Sequence, residues 1–322
     1  MTGIGQTGIV MPLPDGHRVR KAPYPWHGAY DQRVQRTQLR REIDVYHALP
    51  AGHRRLVRLL ECTDDGQDDV SLVLERMPQG TLHHYLVGGC THTKPSADEL
   101  ARGRAIARRQ RASWALEAAD ALVLLHAHGV VHADVKPENM VLDAQLRLRL
   151  IDFSGCSLRG APALSLESAP FYMPRTPAAR VVGDMGCSVT TDLFALGSSL
   201  FQIVAGRPPW HPLQHRAVEE RYERGEFPDL ATAGPDGTPL PLFADIIHQC
   251  WHARMASAED VLEAIKRTTR EAFGPEDRAW IEQQSGVALA RNVTGQENQA
   301  DTPPTLDIHQ KPQREQGLRA VS

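Results

Sequence analysis

The stretch HADVKPENMVLD, residues 132–143, sets Asp134, Lys136 and Asn139 close together among apolar residues. Farther along, LIDFSG supplies a second acid, Asp152. Phosphoryl transfer needs parts of these types. One carboxylate orients the attacking hydroxyl or accepts its proton. A second carboxylate and an amide oxygen hold Mg2+, whose charge neutralises the phosphates. A nearby lysine adds positive charge where the transferred group becomes exposed. Any one of these acids could instead cap a helix or serve a turn, but the ordered set argues against that.

Residues 3–10, GIGQTGIV, fit the pattern G-x-G-x-x-G-x-V through Gly3, Gly5, Gly8 and Val10. The pattern alone is weak, because dinucleotide-binding folds share it. Those folds need a strand before the glycines and a helix after them. Here IVMPLPDG follows, and two prolines and a turn forbid a helix. A hairpin folding over phosphates survives the test, since glycines let backbone amides approach phosphate oxygens. Lys21 follows on the next expected strand, and Glu42 lies on the first expected helix. Either alone is an ordinary surface charge. Together they are a lysine that a glutamate can aim at phosphate oxygens.

The elements that must position these residues can be read in outline. PDG at 14–16 is a turn between two extended runs. From Asp31 to Leu49 the pattern is helical, with Leu39, Ile43 and Tyr46 on one face. Residues 56–60 and 70–77 read as strands parted by the acidic turn TDDGQDD. Beyond Gly80 helices dominate: one at 104–128 ended by Gly129, one at 190–206 closed by Gly206, one at 257–272. From about 285 the chain is polar, rich in Gln and without periodicity, and is expected to be disordered.

Composition sets outer bounds. The chain has 322 residues, 41% hydrophobic and 23% charged, with a net charge of −3. That is ordinary for a globular protein and gives no reason to expect nucleic acid or an anionic membrane as partner. Five cysteines without metal-like spacing, no secretory signal and no run long enough to span a bilayer suggest a reducing, cytoplasmic or nuclear setting rather than secretion. NVT at 292–294 fits a glycosylation acceptor that this setting makes a chance match.

On these motifs the sequence resembles the eukaryotic protein kinases, from about Gly3 to about Phe273. The details TGIV, LPDG, HADVKPEN, DFSGCSL and FYMPR resemble kinase-like proteins of filamentous fungi. The resemblance implies an α+β fold of two lobes: a β-rich small lobe at 1–77 with one helix and a shortened opening strand, a helical lobe at 78–273, and a polar tail at 274–322. It implies ATP as co-substrate, Mg2+ as cofactor and a protein Ser/Thr hydroxyl as acceptor. Gly3, Gly5, Gly8 and Val10 would cover ATP; Lys21, held by Glu42, would reach its α and β phosphates. Leu74 would be the gatekeeper, and the backbone of Glu75 and Met77 would meet adenine. Asp134 would be the base with Lys136 beside it, and Asn139 and Asp152 the metal ligands. Asp192 matches the buried Asp of the long central helix.

Four departures bear on function. Ala133 replaces the Arg that normally pairs with an activating phosphate, so the loop from Asp152 to Pro174, with Ser157, Ser165 and Ser168, is expected to be held by packing. Ser154 replaces the Gly after Asp-Phe. Arg175 stands where the family has a Glu paired with a late Arg, for which Arg254 is the candidate here; that brace must be absent or rebuilt with another acid. Thr2 stands where an apolar residue normally covers adenine. These departures leave two rivals to an active protein kinase: a non-catalytic nucleotide-binding scaffold and a small-molecule kinase.

Overall fold

The glycine-rich opening folds into a hairpin, as the prolines behind it require. The protein's structure, a computed structural model, describes residues 3–5, 7–88, 97–175, 186–234 and 237–289. Thr2, Cys90, the NVT site and the tail beyond 289 lie outside the described residues. Strands β1 (Gly3–Gly5), β2 (Gly8–Pro12), β3 (Arg18–Ala22), β4 (Leu59–Asp64) and β5 (Val70–Glu75) form one antiparallel sheet in the order β1-β2-β3-β5-β4. Helix α1 (Ala29–Ala48) packs on it, burying the expected stripe of Leu39, Ile43 and Tyr46. Pro50 follows the helix and cannot continue it.

One strand is displaced from the sequence reading. Residues 56–58 are not in β4, which instead runs through the polar stretch ending at Asp64. β4 is the sheet edge, and charged, exposed side chains suit an edge. The apolar pair Leu56 and Val57 is buried for another purpose. It bridges to the second lobe, where Val57 N–H donates to Leu150 O at 3.3 Å and Leu150 N–H to Arg55 O at 2.8 Å.

The second lobe is built on α2 (Leu82–Val87), α3 (Ala97–Ala105), α4 (Arg108–Ala127), α5 (Val189–Ala205), α6 (His215–Glu223), α7 (Ala244–Trp251), α8 (Ala258–Ala272) and α9 (Pro275–Ser285). Two short ribbons, β6 (Val130–Val131) with β9 (Ser157–Leu158) and β7 (Met140–Leu142) with β8 (Leu148–Leu150), carry the site. Helix α5 is buried along most of its length. A capping box from Ser188 and Thr191 opens it, and Gly206 closes it in the left-handed conformation. The single helix expected at 104–128 is two, broken at Ile106 and Ala107, where Ala107 is extended. Buried Arg111 explains the break: it donates to Gly103 O at 2.8 Å and to Ile203 O, serving carbonyls near the ends of α3 and α5.

The C-terminal boundary also differs. The tail expected from 274 opens with an ordered helix, α9, started by a proline and two acids and ended by Gly286 at φ +65°. Ile281, Val287 and Leu289 are buried, and α9 packs on α4. Arg55, itself 1% exposed, ion-pairs Asp120 of α4 at 2.6 Å and donates to Ser285 O. Three widely spaced apolar residues gave too little periodicity to show this. Among the described residues no helix is long and apolar enough to cross a membrane, and Cys62, Cys156, Cys187 and Cys250 are free thiols.

A chain ending at Gln284 therefore loses the Ser285 carbonyl and two buried side chains that a chain ending at Leu289 keeps. At about 1.5–3 kcal/mol per buried aliphatic side chain, its thermal midpoint is expected to fall by roughly 5–10 °C relative to the longer chain. Equal midpoints in calorimetry would show that residues 285–289 add nothing to the fold.

Candidate active site

The nucleotide-facing half is set by sheet register. Val10 pairs with Gly3 on one side and Lys21 on the other. Gly5 pairs with Gly8, so the chain reverses between them. Gly8 is at φ +156°, and a Cβ there would sit 2.5 Å from Ala22 O, so the close approach of β2 to β3 requires glycine. Thr7 is buried and its hydroxyl lies 3.4 Å from Asp152 Oδ1, which brings the hairpin tip down over the acid.

Lys21 Nζ lies 2.6 Å from Glu42 Oε2 and 2.7 Å from Asp152 Oδ1. The three residues come from β3, α1 and the segment after β8. Burial alone would lower the Lys21 pKa, but Asp152 and Glu42 outweigh it and hold the ammonium above its usual value. Burial opposes ionisation of Asp152 too. Lys21 and the Ser154 hydroxyl, 2.6 Å away, overcome that and hold its carboxyl well below the usual range. For Glu42 burial wins, and its carboxyl is pushed up. Asp152 itself takes the left-handed conformation at φ +66°, and Ser154, rather than adopting a positive φ, sits in a tight turn and braces the carboxylate. Behind it Phe153 is fully buried, edge-on to Tyr46 of α1 and to His132.

The catalytic-loop half hangs on Asp192 of α5, which is fully buried. Its two oxygens accept His132 N–H at 2.8 Å and Ala133 N–H at 2.9 Å, with His126 Nε2 at 3.0 Å. That fixes Ala133 at φ +64° and presents Asp134. Asp134 Oδ2 is met by Lys136 Nζ at 2.6 Å and Asn139 Nδ2 at 3.0 Å. Oδ1 faces Ser168 N–H at 3.4 Å. Asn139 also accepts Ile151 N–H on its carbonyl at 3.0 Å, which places it beside Asp152.

These two residues fit a magnesium ion. Among the described residues no hydrogen bond ends on Asp152 Oδ2, and Asn139 turns its amide nitrogen toward Asp134, leaving the amide oxygen for a cation. No cluster of three or more His, Cys, Asp or Glu side chains suited to a metal occurs among the described residues. An ion here would complete its shell with phosphate oxygens and water, as Mg2+ does.

The loop after Asp152 is held by neighbours. Arg41 of α1 donates to Cys156 O at 2.5 Å and Pro162 O at 2.9 Å. Arg175 pairs with Glu167, eight residues earlier in the same loop, so its partner is an acid of the loop itself and not a residue near Arg254. Glu75, at the expected hinge, ion-pairs Arg58 and Arg149 through its side chain. Met77 is half-buried at the edge of the core.

The protein kinase domain model matches residues 27–259, most of the chain. The chain belongs to the protein kinase family. The matched span starts after Lys21, so the assignment of the glycine hairpin and that lysine rests on their geometry. Among relatives, Aurora kinase B of Mus musculus is 29% identical over 199 residues, 61% of this chain and 52% of that protein. Aurora/IPL1-related protein kinase 2 of Caenorhabditis briggsae is 29% identical over 199 residues, 61% of this chain and 59% of that protein. The liver/testis phosphorylase b kinase gamma catalytic chain of Mus musculus is 29% identical over 184 residues, 56% of this chain and 41% of that protein. The chain thus spans about half the length of these three relatives.

Of the sequence-derived residues, Gly8 packs against Ala22 and Val10 pairs with Lys21, Lys21 meets Glu42 and Asp152, and Asp134 meets Lys136 and Asn139; the Glu75 side chain turns to Arg58 and Arg149. Sequence reasoning missed Thr7, Arg41 and Glu167, and counted Ser168 only as a modifiable hydroxyl although its amide faces Asp134. Arg41 stands next to Glu42, a signal that one helix serves both Lys21 and the loop. Replacing Asp192 by Ala leaves two buried N–H groups without acceptors, at about 1–3 kcal/mol each. Urea unfolding is expected to show a loss on the order of 2–6 kcal/mol. A loss below about 1 kcal/mol would mean that the loop is held by something else.

Proposed function

We propose that this kinase domain transfers the γ-phosphoryl group of ATP to Ser or Thr hydroxyls of protein substrates. The observation that carries the reading is the convergence of Lys21, Glu42, Asp152, Asn139, Lys136 and Asp134 from four separate segments. Gly3, Gly5 and Gly8 bring backbone amides to the phosphates, and Val10 supplies an apolar surface beside them. The backbone of Glu75 and Met77 meets adenine, next to Leu74. Lys21, kept protonated and aimed by Glu42, holds the α and β phosphates. Asp152 and Asn139 would hold Mg2+, which would offset the charge of the phosphates. Asp134 Oδ1 orients the acceptor hydroxyl and takes its proton. Lys136, already at Asp134, offers its positive charge to the group in transit.

The Ser/Thr preference rests on Lys136 between Asp134 and Asn139, which resembles the Ser/Thr form of that loop. The free thiols fit a reducing compartment, and the cytoplasm is the proposed location.

Purified protein with Mg2+ and ATP is expected to phosphorylate generic protein substrates on Ser or Thr. Asp134→Asn and Asp152→Ala are each expected to lower the rate by two or more orders of magnitude, on the scale of losing one electrostatic or acid–base group. Equal trace activity in wild type and Asp134→Asn would instead favour a nucleotide-binding scaffold. Transfer to a small molecule but to no protein would favour the other rival.

A further inference from the structure

The ion pair of Glu167 and Arg175 is more buried than a surface brace needs to be. The Glu167 side chain is 0% exposed and that of Arg175 6%. One guanidinium nitrogen reaches both carboxylate oxygens, at 2.8 and 2.9 Å. The Nε of the same guanidinium donates to Gly186 O at 3.1 Å, its carbon lies 5.2 Å from the Tyr172 ring centre, and Cys187 Sγ donates to Ser165 O at 3.6 Å. The pair therefore closes residues 165–175 against the residues that lead into α5.

The residue after Glu167 is Ser168, whose N–H is the group facing Asp134 Oδ1. The other oxygen of Asp134 is already met by Lys136 and Asn139. Oδ1 is thus the oxygen left for an incoming hydroxyl, and the backbone beside it is anchored one residue away by Glu167. After Ser168 the chain makes a tight turn, Ala169–Phe171, which Tyr222 secures by donating its hydroxyl to Pro170 O at 3.1 Å.

We propose that Glu167, locked by Arg175, is a positioning residue that sets where the acceptor hydroxyl meets Asp134. The inference rests on the kinase reading of the same site. Its physics is that of a buried pair: neither partner can leave without stranding the other's charge in the interior. Such a latch holds the loop with no added phosphate. Ala133 offers no side-chain donor to a phosphate, and Arg175, the cation at the loop's end, is already taken by Glu167.

The test uses the full chain, Glu167→Gln, and the double variant Glu167→Gln/Arg175→Met, which leaves no buried charge unpaired if the single variant folds poorly. Three quantities are read: steady-state kcat and KM with dephosphorylated casein, the Kd for Mg-ATP, and hydrogen exchange of peptides covering 164–172. Both variants are expected to lose at least tenfold in kcat while the Kd for Mg-ATP stays within twofold, because Lys21, Glu42 and Asp152 do not touch the pair. Exchange at 164–172 is expected to quicken at least tenfold with the rest of the chain unchanged. If the double variant keeps kcat and exchange within twofold of wild type, the proposal is overturned. It is also overturned if ATP affinity falls in step with kcat, since the pair would then only support the fold. If wild type transfers no phosphate at all, the functional reading fails by itself; the exchange data still decide the latch, faster exchange upholding it and unchanged exchange overturning it.

Discussion

An ammonium group taken out of water must be met by opposite charge, and Lys21 is met twice. It is 5% exposed and lies within 2.7 Å of two carboxylates that belong to different parts of the chain. Breaking such a pair by removing one partner typically costs about 3–5 kcal/mol. The positions of β3, α1 and the segment after β8 are therefore not independent. With Lys21 placed by the sheet, Glu42 fixes the rotation of α1, and Asp152 fixes the start of the loop. Helix α1 then carries two further attachments on the same side: Arg41 to the carbonyls of Cys156 and Pro162, and Tyr46 against Phe153. A shift of α1 would disturb Lys21 and the loop together.

The second lobe supplies the fixed counterpart. Asp192 ties the loop bearing Asp134 to the buried helix α5, and it does so through backbone N–H groups, so this tether does not use the side chain of residue 133. Its side chain is absent in function as well as in size, and order in the following loop comes from elsewhere. The two lobes also meet behind the site. There the Arg55 backbone pairs with Leu150, two residues before Asp152, while its side chain holds Asp120 and Ser285. The C-terminal helix is thereby connected to the strand that delivers Asp152.

The candidate site residues were legible because phosphoryl transfer would fix both type and order: glycines at Gly3, Gly5 and Gly8, a lysine at 21, acids at 134 and 152. The two-lobed α+β outline was legible because Leu39, Ile43 and Tyr46 repeat as a helix must and because Gly206 ends one. What escaped was set by single long-range contacts. Arg111 breaks a helix by reaching carbonyls that its own periodicity does not reveal. Arg55 docks a helix whose apolar residues are too few to announce it. Glu167 reads as a lone acid in the loop until Arg175 is seen beside it. Leu56 and Val57 look like a strand because they are apolar, yet they are buried between lobes.

The dependence of the structure on Lys21 is tested most directly by a double-mutant cycle in denaturant. Lys21→Met, Glu42→Leu and the double variant are unfolded in urea alongside wild type, and the coupling is taken from the four free energies. The account predicts that each single change is costly and that the double change costs less than their sum by more than about 1 kcal/mol, because the second substitution removes the charge that the first left stranded. Additive losses, within about 0.5 kcal/mol, would contradict it.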